Sequence, residues 1–398
     1  MLYNQDIKNP HAVLALLVDF SKAFNRQNHN IIIEILSELG VPKWLLRLVG
    51  SFLSKRELVL SYKDKTSKKR ALPGGTPQGT RLGMFLFLIL INFAGFKSHE
   101  LVNNLGEVIT KSIPKRKPIK NKHMKYIDDM SLLTSVDLKQ SLENDPNLVR
   151  PRNFHDRTGH ILPRRNCVIS DQLNQLSKYV KHHQMKINEE KTKVMLFNST
   201  KKWDFSPSVS LGIRDTNLEV VDEIKLLGII ITSDMKWHRN TSQLCEKGYR
   251  RLWMLRNLKR LGATISELLD VYIKQCRSIL ELAAPVWTPG LTDDNILEFE
   301  RVQKAACAII LGRNYCGYSD ALNRLGIKTL KQRRQDLCLK FAKKCIKDEK
   351  HRNWFVLADV PTVCTRTKAK LYKPVPARTE RFQNSPIPYL TRLLNSNM

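Results

Sequence analysis

The chain has 398 residues, of which 42% are hydrophobic, so it is long enough for two or three domains, and disorder throughout is excluded. It carries 67 lysines and arginines against 37 aspartates and glutamates, a formal net charge of +30 at pH 7. This balance favours a polyanionic partner, with nucleic acid first, over a merely soluble basic surface. The C-terminal quarter is the most basic: residues 201–300 hold 14 basic and 14 acidic side chains, and residues 301–398 hold 21 and 6.

The cysteines and apolar runs indicate an intracellular protein, nuclear or cytoplasmic, without a membrane partner. Eight cysteines occur without a CxxC pair and lie in apolar helical patterns, which is typical of reduced, buried thiols. The apolar run that ends before Asp19 is no signal peptide, and the run that starts at Met84 is too short to cross a bilayer. His155, His160 and Cys167 have an irregular spacing, which favours a plain loop over a zinc site.

Strand and helix patterns alternate along the first 235 residues. The continuous apolar run Ala12 to Val18 predicts a buried strand that delivers Asp19 to its C-terminal end, where sites on buried sheets usually lie. Residues 137–169 lose periodicity and predict a surface insertion or linker. Helices are predicted at 28–39, 42–53, 79–96 and 171–183, a basic hairpin at 57–72, a second hairpin at 124–135, and strands at 192–197 and 223–232.

From about Trp237 onward the pattern is helical and predicts a separate helical domain. The tail from Val360 is basic and rich in proline, which predicts an extended arm rather than a packed unit. We therefore divide the chain at residues 235 and 350. The predicted helices of the second part are 238–261, 265–285, 293–311 and 329–348.

Residues 126–129 read Tyr-Ile-Asp-Asp and place two adjacent carboxylates at a turn between apolar segments. An aspartate pair is most often a solvated turn or a helix start, as we expect for Asp293-Asp294. Carboxylates are, however, the hard ligands that magnesium takes. If the strand before Asp19 lies beside the hairpin, Asp19, Asp128 and Asp129 meet and can hold the two ions, about 3.5 to 4 Å apart, that nucleotidyl transfer needs. The alternative for Asp19 is an N-cap of the next helix.

Five segments in this order resemble the palm motifs of reverse transcriptases from non-LTR (LINE-type, jockey-like) retrotransposons. The resemblance implies an α+β fold, with a reverse-transcriptase-type palm of antiparallel sheet and packed helices, then an α-helical thumb and C-terminal region. It also implies synthesis from dNTP on a DNA primer along an RNA template, with Mg²⁺ or Mn²⁺ as cofactor. The segments are LVDFSKAFN at 17–25, PGGTPQGTRLG at 73–83, YIDD at 126–129, MKINEEKTKVMLF at 185–197 and LLGIIITSDMKW at 226–237.

By this resemblance Asp19, Asp128 and Asp129 form the metal-binding triad, with the backbone of Phe20 near the metal or triphosphate. Phe24 lies under the incoming sugar and excludes a ribose 2′-hydroxyl. The alternative for Phe24 is a core aromatic on a helix face.

The other motif residues are implied to contact the nucleotide and the primer. Gln78 and Gly79 approach the nucleotide or template, Arg81 offsets phosphate charge, and Lys191 protonates or shields the leaving pyrophosphate. A solvated surface side chain is the alternative for Arg81 and Lys191. The primer grip, which braces the 3′ end of the primer, consists of Leu227 and Gly228.

The helices after Trp237 correspond to the thumb. Their basic spacing puts several charges on one helix face, suited to following the backbone of a heteroduplex, with a solvated face as the alternative. The candidate residues are Lys247, Arg250, Arg251, Arg256, Lys259 and Arg260.

The chain also departs from the family pattern. Only 18 residues precede Asp19, so most of the fingers region is expected to be missing, and we find no endonuclease domain or zinc knuckle. We expect the C-terminal part of a longer element protein. The alternative is a catalytically inactive nucleic-acid-binding remnant of such an element, and a generic two-carboxylate hydrolase lacks an acid/base pocket.

Overall fold

The structure is a computed structural model that divides the chain into two units, Met1–Asp222 and Glu223–Met398. The predicted boundaries at residues 235 and 350 stay predictions. The structure describes residues 11–21, 24–25, 27–72, 74–77, 79–93, 122–126, 129–137, 149–151, 176–181, 185–197, 203–205, 210–211, 216–349, 351–358, 371–377 and 379–397.

The first unit contains thirteen described strands and three long helices. The helices are α1 (His29–Glu38), α2 (Lys43–Leu53) and α3 (Arg81–Phe93), and residues 176–181 add a short helical segment. The strands are β1 (His11–Val18), β2 (Glu57–Leu58), β3 (Ser61–Tyr62), β4 (Lys65–Thr66), β5 (Arg70–Ala71), β6 (Lys122–Tyr126), β7 (Asp129–Asp137), β8 (Val149–Pro151), β9 (Lys193–Phe197), β10 (Trp203–Phe205), β11 (Ser210–Leu211), β12 (Thr216–Asn217) and β13 (Glu219–Val220).

A five-stranded sheet organises this unit, in the order β13-β9-β1-β7-β6. The apolar strand β1 is central and pairs antiparallel with both β7 and β9, and β6 and β7 form the second predicted hairpin. Only β13 runs parallel to its neighbour, β9. The predicted antiparallel sheet with packed helices is therefore present, and the mixed α+β class is confirmed.

Two apolar clusters hold the sheet and helices of the first unit together. Leu14 and Leu16 of β1 are fully buried and belong to one cluster with Phe87 of α3. In the other cluster α1, α2 and α3 pack on one another through residues such as Ile32 and Leu53. Because each fully buried leucine or phenylalanine contributes about 1.5–3 kcal/mol, these contacts fix the end of β1 relative to α3.

The second unit begins with a β-hairpin and continues as helices. The hairpin pairs β14 (Glu223–Leu226) with β15 (Ile229–Thr232). The helices are α4 (His238–Arg260), α5 (Ile265–Val271), α6 (Ala284–Trp287), α7 (Asp293–Leu311), α8 (Tyr318–Leu325), α9 (Leu330–Lys347), α10 (Glu380–Gln383) and α11 (Pro386–Ser396). Helix α5 continues as a π-helical stretch, Tyr272–Arg277, and ends in the short helical segment Ser278–Leu280.

The structure corrects two predictions about local structure, the end of one helix and the burial of one cysteine, and adds two elements that the sequence did not predict. The helix expected at 265–285 stops at Leu280, since Ala283 has a left-handed backbone and Pro285 starts a new helix. Helix α8 was not predicted. Within 137–169, residues 149–151 form a strand paired with β10. Among the described cysteines, Cys316 is exposed, although the other five are buried as predicted.

The predicted extended tail is wrong for its last part. Helix α11 has Pro386 at its first turn and buries Leu390 and Leu394 in a cluster with Cys338 and Cys345 of α9. The proline is compatible with a helix here because the first residues of a helix need no backbone donor. Within the described ranges, no helix has the length and apolar character needed to cross a membrane.

Candidate active site

Asp19 follows the last residue of β1 and is held by hydrogen bonds on both sides of its backbone. Its amide donates to Thr192 Oγ1 (3.4 Å), and its carbonyl accepts from the amide of Asn188 (2.8 Å). The Thr192 hydroxyl is buried and donates to the Asn188 carbonyl (2.7 Å). The segment 185–197 therefore wraps the strand end and fixes the position of Asp19.

The register of the sheet brings the Tyr-Ile-Asp-Asp hairpin beside Asp19. Val18 at the end of β1 pairs with Met130 of β7, so Asp129 begins β7 at the same end of the sheet at which β1 delivers Asp19. Tyr126 and Asp129 are paired across the hairpin. Asp128 lies outside the described residues. A shared carboxylate site requires that the two strands be neighbours in one sheet, and the backbone pairing of β1 with β7 meets this condition.

Phe20 follows the end of β1 closely, and Phe24 lies in a turn with Asn25. Phe20 is buried and forms a backbone bridge with Ile187. Phe24 is half-buried, and its ring centroid lies 5.0 Å from that of Phe87 in α3. Phe24 is thus partly a core aromatic, and its partial exposure leaves part of the side chain available to a ligand.

The glycine-rich loop is docked on the backbone of this turn. The Thr76 amide donates to the Phe24 carbonyl (2.8 Å), and the Gly75 amide donates to the Gln27 carbonyl (2.8 Å). A Cβ at Gly75 would lie 2.8 Å from the Phe24 oxygen and 2.9 Å from the Asn25 Cα. The close approach of the two segments therefore requires glycine at 75.

Two side chains from other elements hold the same loop. His29 Nε2, at the start of α1, donates to the Gly75 carbonyl (2.7 Å). Arg56 Nη1, after α2, donates to the same carbonyl (2.6 Å). Neither residue was singled out in the sequence, because a single histidine or arginine outside a motif carries no signal.

The remaining nucleotide-site candidates lie on turns and at a helix start. Gly79 is exposed with φ +82°, and Arg81 is the exposed first residue of α3. Lys191 is exposed in the turn before β9, where its amide donates to Asn188 Oδ1 (3.4 Å). Gln78 lies outside the described residues. The exposure of Arg81 and Lys191 suits contact with phosphate and is equally that of a solvated surface side chain.

No group of three His, Cys, Asp or Glu side chains that could hold a metal occurs among the side chains that the structure describes. The predicted carboxylate triad includes Asp128, which is outside that set, and Asp129, of which the backbone alone is described. The oxygen donors of Asp19, Asp128 and Asp129 fit a hard divalent cation by their chemistry.

In the second unit, Leu227 and Gly228 form the two-residue turn between β14 and β15. Both have positive φ, +48° and +87°, as a type I′ hairpin turn requires. An added Cβ at Gly228 would lie 3.2 Å from the Leu282 side chain. The turn expected within 223–232 is therefore present, and half of the Leu227 side chain is exposed at its tip.

Three of the six thumb cations share one exposed face of α4, as residues three or four apart do on a helix. Arg250, Arg256 and Arg260 are exposed, and Arg250 forms an ion pair with Glu246. Trp253 lies between them on the same face and is 66% exposed. Aromatic side chains among arginines can stack on nucleic acid bases, so Trp253 extends the candidate surface. The sequence alone does not single out Trp253, because a tryptophan on a helix is usually a core residue.

The other three thumb cations lie elsewhere on α4. Arg251 is exposed on another side. Lys247 is half-buried and donates to Gln243 Oε1 (2.9 Å), and burial, followed by the charge of Lys225, lowers its pKa. Lys259 Nζ donates to the carbonyls of Ile309 and Ile310 at the C-terminus of α7, with the second distance 3.2 Å. Its ammonium group thus supports the fold, as a cation at a helix end does.

Comparison with known proteins identifies the family to which the chain is similar. The reverse transcriptase (RNA-dependent DNA polymerase) family matches residues 4–231, more than half of the chain. A solved telomerase from Candida albicans, in complex with the TWJ fragment of telomeric RNA, is 12% identical over 79% of this chain and 49% of that chain, with a TM-score of 0.31.

Two structures from Candida tropicalis are similar to the same degree. Apo telomerase is 10% identical over 80% of this chain and 45% of that chain, with a TM-score of 0.36. Telomerase with the TWJ fragment is 12% identical over 81% and 50%, with a TM-score of 0.33. The present chain spans about half the length of these telomerase chains.

The family match covers the strand ending at Asp19, the glycine-rich loop and the Tyr-Ile-Asp-Asp hairpin. The chain therefore belongs to the reverse transcriptases, a family of RNA-dependent DNA polymerases that use divalent metal with an RNA template and a primer.

Proposed function

We propose that this chain is the RNA-directed DNA polymerase of a non-LTR (LINE-type, jockey-like) retrotransposon, adding dNTP to a primer 3′-hydroxyl along an RNA template. The observation that carries the proposal is the sheet register, which starts β7 at Asp129 beside the strand end that bears Asp19. Paired strands bring those two positions together although they are far apart in sequence. The type of retrotransposon rests on the ordered motifs.

In this proposal Asp19, Asp128 and Asp129 hold Mg²⁺, with Mn²⁺ as an alternative. When bound, two such ions would lower the pKa of the primer 3′-hydroxyl and stabilise the leaving pyrophosphate. The chain contributes a carboxylate at Asp19 whose backbone is fixed by Thr192 and Asn188. A fixed carboxylate favours metal binding, because its backbone is already ordered before the ion binds and the binding step does not include that entropic cost.

The residues around Asp19 would select and orient the nucleotide. Phe24 would contact the sugar and exclude a 2′-hydroxyl by its volume, and its contact with Phe87 limits how far the ring can retreat. Lys191 would donate a proton or a hydrogen bond to the leaving pyrophosphate. Phe20, Gln78, Gly79 and Arg81 complete the proposed nucleotide site.

We assign residues 1–235 to a palm, 236–350 to a thumb and connection, and 351–398 to a basic C-terminal region. The hairpin turn at Leu227 and Gly228 would brace the primer. The exposed face of α4 with Arg250, Arg256 and Arg260 would contact the backbone of the RNA–DNA duplex, with Lys247 and Arg251 as further candidates, whereas Lys259 serves the fold through α7.

The second candidate function is nucleic-acid binding without polymerase activity. The net charge of +30 favours this alternative, because a basic surface binds polyanions whether or not a metal site is functional. It predicts salt-sensitive binding with no extension of a primer.

Primer extension on an RNA template with Mg²⁺ tests the proposal. We expect Asp128→Asn to reduce extension by at least about 100-fold, since it removes one of three charged metal ligands and catalysis through bound ions contributes several kcal/mol. Binding of the template–primer duplex, measured by fluorescence anisotropy, should change little.

The matched control is Asp294→Asn, which changes the other adjacent aspartate pair in the chain. Asp294 is exposed in the first turn of α7, where Thr292 is the N-cap. This variant should extend primers at the rate of the unmodified chain. Equal extension by the unmodified chain and Asp128→Asn would reject the polymerase assignment, and duplex binding without extension in any variant would support the binding alternative.

A further inference from the structure

The hairpin formed by β2 to β5 projects from the first unit without a core of its own. Every residue from 57 to 71 is exposed. Glu57 and Leu58 pair with Ala71 and Arg70 at its base, and Ser61 and Tyr62 pair with Thr66 and Lys65 at its tip. A two-stranded hairpin is marginally stable in water by itself. The apolar side chains on this one therefore suggest a surface that a partner covers.

One face of this hairpin combines apolar and aromatic side chains. The Ser67 amide donates to the Leu60 carbonyl (2.8 Å) and continues the pairing at the tip, so Leu60 and Tyr62 share a face by the alternation of side chains along a strand. Leu58 stands in the separate pair at the base, and the register shifts by one residue between the two pairs. Leu60 is 67% exposed and Tyr62 is 76% exposed. In the cross-strand pairs, Arg70 lies opposite Leu58 and Lys65 lies opposite Tyr62. The face thus places an aromatic ring at the tip of the hairpin with cations beside the apolar row.

The charge of the hairpin is complementary to a polyanion. Residues 55–70 contain seven lysines and arginines and two acidic residues, a net charge of +5. Lys63 Nζ lies 5.6 Å from the centroid of the Tyr62 ring. An acidic group is paired in one case, Glu57 with Lys69 (3.1 Å), which leaves an excess of cations along both strands.

The base of the hairpin is joined to the glycine-rich loop of the proposed nucleotide site. The Leu72 amide donates to the Arg56 carbonyl (2.8 Å), which continues the pairing of the two strands. The Arg56 guanidinium in turn donates to the Gly75 carbonyl (2.6 Å). The exposed face is therefore carried on a support fixed to that loop.

We infer that this face binds a single-stranded polynucleotide, with its phosphates on the lysines and arginines and a base stacked on Tyr62. An exposed aromatic ring among cations is the arrangement that holds unpaired bases, whereas a duplex keeps its base faces covered. The inference rests on the proposed function for the identity of the strand, which is then the unpaired template RNA. A protein partner is the main competing occupant of the apolar row.

The test is fluorescence anisotropy with a labelled single-stranded RNA of mixed sequence, about 16 nucleotides long, the upper end of known site sizes. It is performed on the full chain without dNTP or divalent metal. We expect Tyr62→Ala to raise the Kd about tenfold, because stacking on one aromatic side chain is lost. Tyr62→Trp should retain or improve binding. Replacing both Lys65 and Arg70 by glutamine should weaken binding and reduce its salt dependence.

Two controls separate the hairpin from general effects. Val59→Ala changes an apolar residue on the opposite face, and Lys178→Gln removes an exposed lysine elsewhere in the same unit. Val59→Ala should leave the Kd unchanged, and Lys178→Gln should change it by less than the hairpin variants do. Because Tyr62 is largely exposed, its replacement should leave the far-UV circular dichroism and the urea midpoint unchanged.

An unchanged Kd for Tyr62→Ala would overturn the inference and favour a protein on this face. An equal loss of affinity for a duplex of the same length would also overturn it, since the single strand would then not be preferred. Primer extension is scored separately: loss of RNA binding in Tyr62→Ala supports the inference even if Asp128→Asn leaves extension unchanged, and that second result counts against the polymerase alone.

Discussion

Gly75 and Gly79 have nearly the same backbone conformation in the same loop and very different surroundings. Their φ values are +78° and +82°. A Cβ at Gly79 would have no heavy atom within 4 Å among its described surroundings, whereas a Cβ at Gly75 would meet the backbone of Phe24 and Asn25 at 2.8 and 2.9 Å. Gly79 therefore needs glycine only for its positive φ, whereas Gly75 needs it both for its positive φ and for the close approach of the neighbouring backbone.

We predict that Gly75→Ala lowers the free energy of unfolding by about 1–3 kcal/mol more than Gly79→Ala does. Both variants place alanine in the left-handed region, which costs about 1–2 kcal/mol. Only Gly75→Ala also forces two backbone segments apart, an overpacking term of about 1–3 kcal/mol. Urea denaturation followed by circular dichroism measures the difference. Equal losses in the two variants would show that the loop is not docked on the turn at Phe24.

Helix α11 shows how a single element can change the interpretation of a region. Its buried residues Leu390 and Leu394 belong to the same cluster as Cys338 and Cys345, so the end of the chain packs on α9. The Asn395 side chain adds two hydrogen bonds to the backbone of Tyr372, each 3.0 Å. The C-terminal segment is therefore part of the second unit's core.

We predict that Leu390→Ala lowers the free energy of unfolding of the second unit by about 2–5 kcal/mol, the usual cost of a cavity left by a buried leucine. Leu390 is 1% exposed. Ser396→Ala, on the exposed end of the same helix, should cost less than about 1 kcal/mol. Urea denaturation followed by tryptophan fluorescence compares them, and an extended, unpacked tail would make the two variants indistinguishable.

The sequence was sufficient for elements in which local signals agree with packing. An apolar run predicted β1, and the helix predicted at 28–39 corresponds to α1. The Asn28 side chain caps the start of α1, and the chain turns out of the helix at Gly40, which has a positive φ. The sequence was insufficient where packing against a distant segment determines whether an element forms. Pro386 and Pro388 suggested an extended tail, but the helix forms because Leu390 finds an apolar surface on α9.

The candidate site was predictable in its parts but only partly in its assembly. Asp19 and Asp129 follow from motifs, and their adjacency depends on the pairing of β1 with β7, which no local pattern specifies. Thr192 was not predicted because its role is a hydrogen bond to a residue 173 positions away. Lys259 and Arg260 are adjacent cations with no difference in their local pattern. Their roles differ because α7 lies beside Lys259 and accepts its hydrogen bonds, whereas Arg260 is exposed.

At the scale of the molecule, the net charge of +30 makes affinity alone a poor count of the phosphate contacts that one surface makes. Cations across both units attract phosphates, so the change in affinity after a cation is removed combines a lost contact with a weaker overall attraction. The slope of log K against log salt is more informative, because it counts phosphate contacts in the bound complex and each contributes about 0.7 to 0.9. Neighbouring cations on α4 can be compared in this way.

We predict that replacing both Arg256 and Arg260 by glutamine reduces this slope by about 1.5 for an RNA–DNA duplex, because two exposed cations on one face of α4 lose their phosphates. Lys259→Gln should leave the slope unchanged and lower the free energy of unfolding by about 1 kcal/mol, since Lys259 binds the last carbonyls of α7. Anisotropy titrations across a salt series, with urea denaturation of each variant, measure both quantities. A slope that falls in Lys259→Gln as well would mean that its ammonium group leaves α7 to bind nucleic acid, and a slope unchanged in the arginine variant would place the duplex on another surface.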